Sequence, residues 1–231
     1  MRAHMMRFPG ETARYRMARN RLLEAERDLR RQVEKVAVMR RKLPLGSPIP
    51  EDYVFEEGAT DLADTETVRT VKFSGLFRDG LNTLVVYSFM FGPAMKQACP
   101  MCTSFIDSLN GAAPHFEQRA NLVVAAKFSH KPHSHFARGR TWNHLRLLSS
   151  AHNTYNRDYH GENPEGGQLR SLNVFVRRGG KIHHFYCTEL VFLPGDRAQN
   201  QRHIDMAWPL WNLLDFTPEG GGTDWFPKLA Y

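Results

Sequence analysis

The 231-residue chain holds three cysteines, and two of them stand three positions apart as Cys99-Pro100-Met101-Cys102. As thiolates, two sulfurs at that spacing can exchange electrons, one attacking a disulfide and the other resolving the product. Alternatively they can serve as soft ligands for zinc or copper in a non-redox binding or metal-handling module. A third reading leaves both as inert core residues, because a free cysteine packs as a small hydrophobe. An odd, low cysteine count does not read as a structural disulfide framework.

The flanking residues favour electron exchange. Residues 100–116 read as an amphipathic helix, with Cys102, Phe105, Ile106, Leu109 and Ala113 recurring on one face. Pro100 falls in the first turn, where its missing N–H costs nothing. Cys99 is thereby expected near the N-cap, where unpaired backbone N–H groups and the positive helix end favour a thiolate. Such placement lowers a thiol pKa from about 8.5 to between roughly 3.5 and 7.5, and two units correspond to about 2.7 kcal/mol. Residues i and i+3 in that turn have Cα atoms roughly 5–6 Å apart, which a disulfide accepts. Cys99 is the expected nucleophile and the deeper Cys102 the resolving thiol. Pro100 and Met101, the intervening residues, are supporting candidates. The expected substrate is a protein or small-molecule thiol or disulfide, with no cofactor and no resident metal. A structural zinc site usually takes two such cysteine pairs. Cys187 with His183 or His184 would complete one only by coincidence of the fold.

Other chemistry-bearing residues read as structural. Pro132 interrupts His130, His133 and His135, and no nearby carboxylate or thiol joins them, so a surface loop or helix start is expected. His183 and His184 fall in a predicted strand and should face opposite sides. By the same alternation Cys187 shares the side of His183 and Phe185 and is expected to be a buried, inert thiol. Trp142, Trp208, Trp211 and Trp225 read as core aromatics. The run Tyr155-Asn156-Arg157-Asp158 is polar and aromatic and leaves a site role open. The chain contains no Gly-rich phosphate loop, dinucleotide fingerprint or Ser-His-Asp pattern.

The elements that must position the two thiols follow from apolar periodicity. Thr83 to Phe91 reads as a buried strand feeding the Cys-Pro-Met-Cys helix, and Leu122 to Phe128 as the buried strand after it. Strands are also expected at Val68 to Phe73 and Leu145 to Ser149, with helical segments at Ser74 to Phe77, Lys131 to Thr141 and Thr154 to His160. Leu172 to Arg177 and Lys181 to Cys187 flank Arg178-Gly179-Gly180, a hairpin signal. In the apolar segment from His203 to Asp215, Pro209 limits how much is one helix. Residues 44–66 read as a Pro-, Gly- and acid-rich linker with a short extended piece at Tyr53 to Phe55. Strands separated by helices predict a parallel core with an antiparallel hairpin added.

Residues 11–42 contain neither Gly nor Pro and are rich in helix formers. Leu22, Ala25, Leu29, Val33 and Val36 fall on one face, and Glu26 can meet Arg30 at i,i+4. A helix of about 30 residues extends roughly 45 Å, so it is expected to pack along the outside of the domain or on a second copy as a dimer element. Two regions follow: a helical arm over 1–43 and one domain over 44–231. The net charge of +7 belongs to the arm, which has 13 Lys and Arg against 5 acids over residues 1–42. The remainder holds 18 against 19 and is close to neutral, which gives no reason to expect nucleic-acid binding. At 42% hydrophobic and 24% charged residues the composition is that of a globular protein. No apolar run reaches 18 residues and the first ten lack an apolar core, so no membrane span or export signal is expected and the expected compartment is the cytoplasm.

The segments TLVVYSFMF, ACPMCTSFID, NLVVAAKF and LNVFVRRGGKIHHFYC together resemble the thioredoxin-like superfamily. RNRLLEAERDLRRQVEKVAVMRR, LPLGSPIPEDYVFEE, HLRLLSSAHNTYNRDYH and WPLWNLLDFTPEG are similar to recurring segments of the uncharacterised bacterial family called domain of unknown function 899, sometimes labelled dithiol-disulfide isomerase-like. The resemblance covers nearly the whole chain. It implies a thioredoxin-like, three-layer α/β/α fold with a central mixed sheet and a long N-terminal helical extension. It also implies a role for Lys127, which resembles the lysine that thioredoxins place near the buried cysteine. The chain departs from thioredoxins in two places. Ala98 stands where they carry Trp, and Arg170-Ser171, without proline, precede the strand expected to face the motif.

Overall fold

The computed structural model describes residues 6–231 apart from positions 60, 62, 65, 196 and 198–204, with the backbone alone described at 130–134 and 205. The chain divides into two compact units, Met1–Pro44 and Leu45–Tyr231.

The first unit is one helix, α1 (Ala13–Arg41). Thr12 caps it, its hydroxyl accepting from Tyr15 N–H at 3.1 Å. No residue of α1 is buried, and the apolar Leu22, Leu29 and Val33 remain exposed. Ion pairs run along the helix: Arg27 holds Glu24, Arg31 holds Asp28, and Glu26 is held by Arg19 rather than by Arg30.

The second unit is built on a seven-stranded sheet in the order β2-β1-β5-β4-β3-β6-β7. Its strands are β1 (Val54–Gly58), β2 (Val68–Lys72), β3 (Thr83–Phe89), β4 (Asn121–Ala126), β5 (Arg146–Ser149), β6 (Ser171–Arg178) and β7 (Lys181–Cys187). β3, β4 and β5 are parallel, while β6 lies antiparallel to β3 and β7 antiparallel to β6. Four of these, in the order β4-β3-β6-β7, make the mixed arrangement of the thioredoxin-like class. The central strands read as continuous apolar runs because both their faces are covered. Odd positions of β3 (Val85, Tyr87, Phe89) pack with α2 (Pro100–Phe116), α3 (His130–Gly139) and α5 (Pro209–Leu214). Even positions (Leu84, Val86) pack on the other face with Tyr53, Phe55, Tyr155 of α4 (Tyr155–Asp158) and the 3-10 turn Phe73–Leu76.

Three details differ from the sequence reading. The segment read as a linker contributes β1, which is hydrogen-bonded between β2 and β5. Trp142, Trp208 and Trp211 are fully buried, but Trp225 is 39% exposed. In the β6–β7 hairpin, Gly179 and Gly180 take φ of +56° and +75°, as its two-residue turn demands. A bulge then shifts the register, so that Val174 faces Tyr186 and Phe175 faces His184. Phe185 is the extra residue, and alternation is reset beyond it. His184 and Cys187 therefore share one side of the sheet instead of opposing each other.

Candidate active site

The chain leaves β3 at its carboxyl end and turns back so that Cys99 N–H donates to Met90 O at 3.2 Å. This bond anchors the start of α2 to the end of the strand. Cys99 is the N-cap, with extended backbone (φ −64°, ψ 121°), and Pro100 occupies the first turn. The Cys99 sulfur accepts from Cys102 N–H at 3.4 Å, the sulfur analogue of an ordinary side-chain cap. Thr103 returns two bonds to Cys99 O, from its N–H and its hydroxyl, each at 2.9 Å. One helical turn thus fixes the first thiol, leaving it partly exposed while Cys102 is fully buried.

The electrostatics of the two thiols diverge. The Cys102 thiol donates to the Cys99 sulfur and, with N–H groups of Cys102 and Met101 and the nearby charge of Arg170, pulls the Cys99 pKa down to about 6 against the opposing effect of burial. Burial raises Cys102 well above the ordinary thiol value, and its bond to Cys99 raises it further. One proton shared by two sulfurs therefore sits on the inner one. The Cys102 sulfur is also hydrogen-bonded by the Tyr87 hydroxyl and by the Met90 N–H. Tyr87 is fully buried in β3, with its ring edge-on to Phe105 at 4.9 Å.

Arg170 immediately precedes β6, at the position where thioredoxins carry proline. Its Nη2 donates to Val191 O at 3.3 Å, and its buried Nε has no hydrogen-bond partner among the described residues. The loop leading to it is tied back to α4 and the segment that follows α4. Leu169 N–H donates to Gly161 O at 2.9 Å, and Asn156 Nδ2 donates to Gln168 Oε1 at 3.2 Å. Gly92 allows this approach, since a Cβ there would lie 2.5 Å from Gln168 Cγ. Tyr87 does not stand out in the sequence, and Arg170 does so only through the absence of a proline before β6. The one available signal for Tyr87 is a phenol that, with Ser88, interrupts the apolar run of a buried strand.

The remaining candidates lie apart from the dithiol or are engaged elsewhere. Lys127, just past β4, pairs with Glu162 at 3.0 Å and donates to Asn153 O at 3.3 Å. Tyr155 and Asn156 are buried, and Asn156 accepts from Ser150 Oγ at 2.8 Å. Asn173 donates to Tyr159 O and Ser171 Oγ, so its Oδ1 accepts from His184 Nε2 at 3.0 Å. His184 and Cys187 line an open cavity of about 780 Å³ with Tyr159 and Asn173. Burial pushes the Cys187 thiol up to about 11 and pushes His184 down, so both are neutral near pH 7. His135 is exposed, while the side chains of His130 and His133 lie outside the described residues. Among the described residues no group of three or more His, Cys, Asp or Glu could hold a metal ion. Among them, too, no helix is long and apolar enough to cross a membrane.

Sheet order and helix placement define a thioredoxin-like α/β protein with a Cys-x-x-Cys pair capping a helix. More narrowly, the chain belongs to the family described as bacterial protein of unknown function (DUF899), whose pattern matches residues 5–231. No curated protein matches it. Among solved structures it is similar to AhpC of Enterococcus faecalis, with 10% identity and a TM-score of 0.47, covering 74% of this chain and 94% of that one. Thioredoxin peroxidase I of Plasmodium yoelii gives 19% identity and a TM-score of 0.47 over 75% and 91% of the two chains. Peroxidoxin BcpB of Mycobacterium tuberculosis gives 18% and 0.46 over 72% and 95%.

Proposed function

We propose that this protein is a thiol-disulfide oxidoreductase acting on a protein or small-molecule disulfide. The carrying observation is the asymmetric pair: a partly exposed Cys99 thiol near 6 beside a fully buried, protonated Cys102. The Cys99 thiolate attacks one sulfur of the substrate disulfide. A Cys99–substrate bond forms, the substrate S–S bond breaks, and the first thiolate departs. Cys102 then attacks the Cys99 sulfur, releasing the second thiolate, while its proton passes to that leaving group or to water. The dithiol has lost two electrons and the substrate disulfide has gained them; a thiol reductant restores the resting state. Pro100 presets the turn, and Met101 contributes its backbone N–H to the Cys99 sulfur. Lys127 enters only as a strand-end cation held by Glu162. A cytoplasmic setting, where thiols are kept reduced, suits this cycle. The exposed apolar face of α1 supports a homodimer formed along that helix.

The test is to mix reduced protein with a disulfide and follow the Cys99–Cys102 bond by mass spectrometry. Cys102→Ser should accumulate the Cys99–substrate mixed disulfide, and Cys99→Ser should form neither product. Undiminished substrate reduction by Cys99→Ser would remove this function.

A further inference from the structure

Resting on that reading, we infer that Tyr87 is a catalytic hydrogen-bond donor for the second half of the cycle, its buried hydroxyl stabilising the Cys102 thiolate that must form before the mixed disulfide can be resolved. In the resting pair, Cys102 is both donor and acceptor: its S–H points at the Cys99 sulfur, and its sulfur receives the Tyr87 O–H. Once Cys99 is bonded to substrate it is no longer an anion, and Cys102 loses the acceptor for its proton. It must then become a thiolate where water is excluded. Cys102 is itself fully buried, in the same core cluster as the fully buried Tyr87, Phe105 and Trp208. A charge forming there is costly without a donor. The phenol is the side-chain donor there, beside the Met90 backbone N–H, and it meets the developing charge without reorganisation. It cannot act as the base, because burial and the neighbouring Cys102 hold it protonated far above pH 7. Its part is to accompany the charge while the S–H proton leaves to the departing thiolate or to water. Two electrons pass from the Cys99–Cys102 pair to the substrate sulfurs in both halves taken together, and Tyr87 is unchanged at the end.

The two halves can be timed separately with an aromatic disulfide whose released thiolate is coloured. Wild type should release one equivalent as Cys99 attacks and a second as Cys102 resolves, and Cys102→Ser should release only the first. Tyr87→Phe keeps the ring against Phe105 and removes only the hydroxyl. Its first release should match wild type. Its second should slow by roughly tenfold to a hundredfold, the worth of one hydrogen bond to a charged group. The pH profile of the second release should also move to higher pH, a change that loosened packing alone would not produce. A second release unchanged in rate and profile overturns the role of Tyr87, as does equal slowing of both releases. If the phenylalanine variant does not fold, a ring-fluorinated tyrosine at position 87 keeps the shape and strengthens the donor. It should speed the second release, and no change or slowing overturns the inference. Loss of the first release in wild type would instead defeat the oxidoreductase reading itself.

Discussion

At the Cys99 sulfur, donors outweigh desolvation. The Cys102 S–H contributes most, followed by N–H groups of Cys102 and Met101 and the charge of Arg170, and together they hold the thiol near 6 although burial acts against them. A thiolate present above that value fixes the pH dependence of attack. Alkylation of Cys99 should slow as pH falls through about 6 and be flat above it, whereas an ordinary thiol would keep gaining rate up to its own value near 9. Cys102 and Cys187, buried and protonated, should stay unmodified while the fold is intact. Mass spectrometry after brief alkylation across the pH range measures both. Removing the distal charge tests Arg170: Arg170→Met should shift the alkylation midpoint upward. Cys102→Ala should shift it upward by more, because it deletes the leading donor.

Among the elements, β1 shows how much of the sheet rests on one buried carboxylate. Glu57 is 4% exposed, yet Arg146 of β5 reaches it at 2.6 and 2.9 Å and Arg69 of β2 at 3.1 Å. Burial raises its pKa, but the Arg146 hydrogen bond and the two arginine charges outweigh that, leaving it below the usual carboxylate value. Glu57→Gln should cost about 3 kcal/mol in urea unfolding at neutral pH, near the low end for a broken buried pair because Arg69 is solvated. With the folded pKa depressed, this contribution is complete above the ordinary carboxylate value and is lost as pH falls through the lowered one. The gap between variant and wild type should therefore close on acidification, and unfolding curves at neutral and acid pH would show it. Such ties also explain what the sequence could and could not disclose. The bounds of α2 were readable at Pro100 and Phe116 because cap, proline and apolar face are all local signals. Of β1 only a short extended piece at Tyr53 to Phe55 is legible within a linker-like segment, because Arg146, the partner of the buried Glu57, lies far downstream. Simple alternation places Cys187 on the wrong side because a bulge that it does not register resets the pairing at Phe185. Arg170 was visible only as the absence of a proline, since its relation to Cys99 exists only once β6 has paired with β3.

For the whole molecule, the depressed thiol makes stability depend on redox state and pH together. In the reduced protein Cys99 titrates near 6 when folded and near 9 when unfolded, so the folded state gains stability across that interval. The gain is complete above the unfolded value and disappears as pH falls through the folded one. The raised Cys102 pKa works in the opposite sense, but only as pH climbs past the ordinary thiol value, so Cys99 governs the interval below it. The oxidised protein has neither titration. Its disulfide closes a very short loop, whose effect on the unfolded chain does not vary with pH. The reduced form should accordingly gain on the oxidised form in thermal or urea unfolding as pH rises from about 6 toward about 9, with no further change in the difference below about 6. The same cycle, read for electrons instead of unfolding, requires the disulfide to become the stronger oxidant relative to an unfolded reference over that interval, because the product it yields is a stabilised thiolate. Paired unfolding curves for the reduced and oxidised protein at several pH values decide the matter. A difference that stays constant across the interval would mean that the cap at the start of α2 does not stabilise the Cys99 anion.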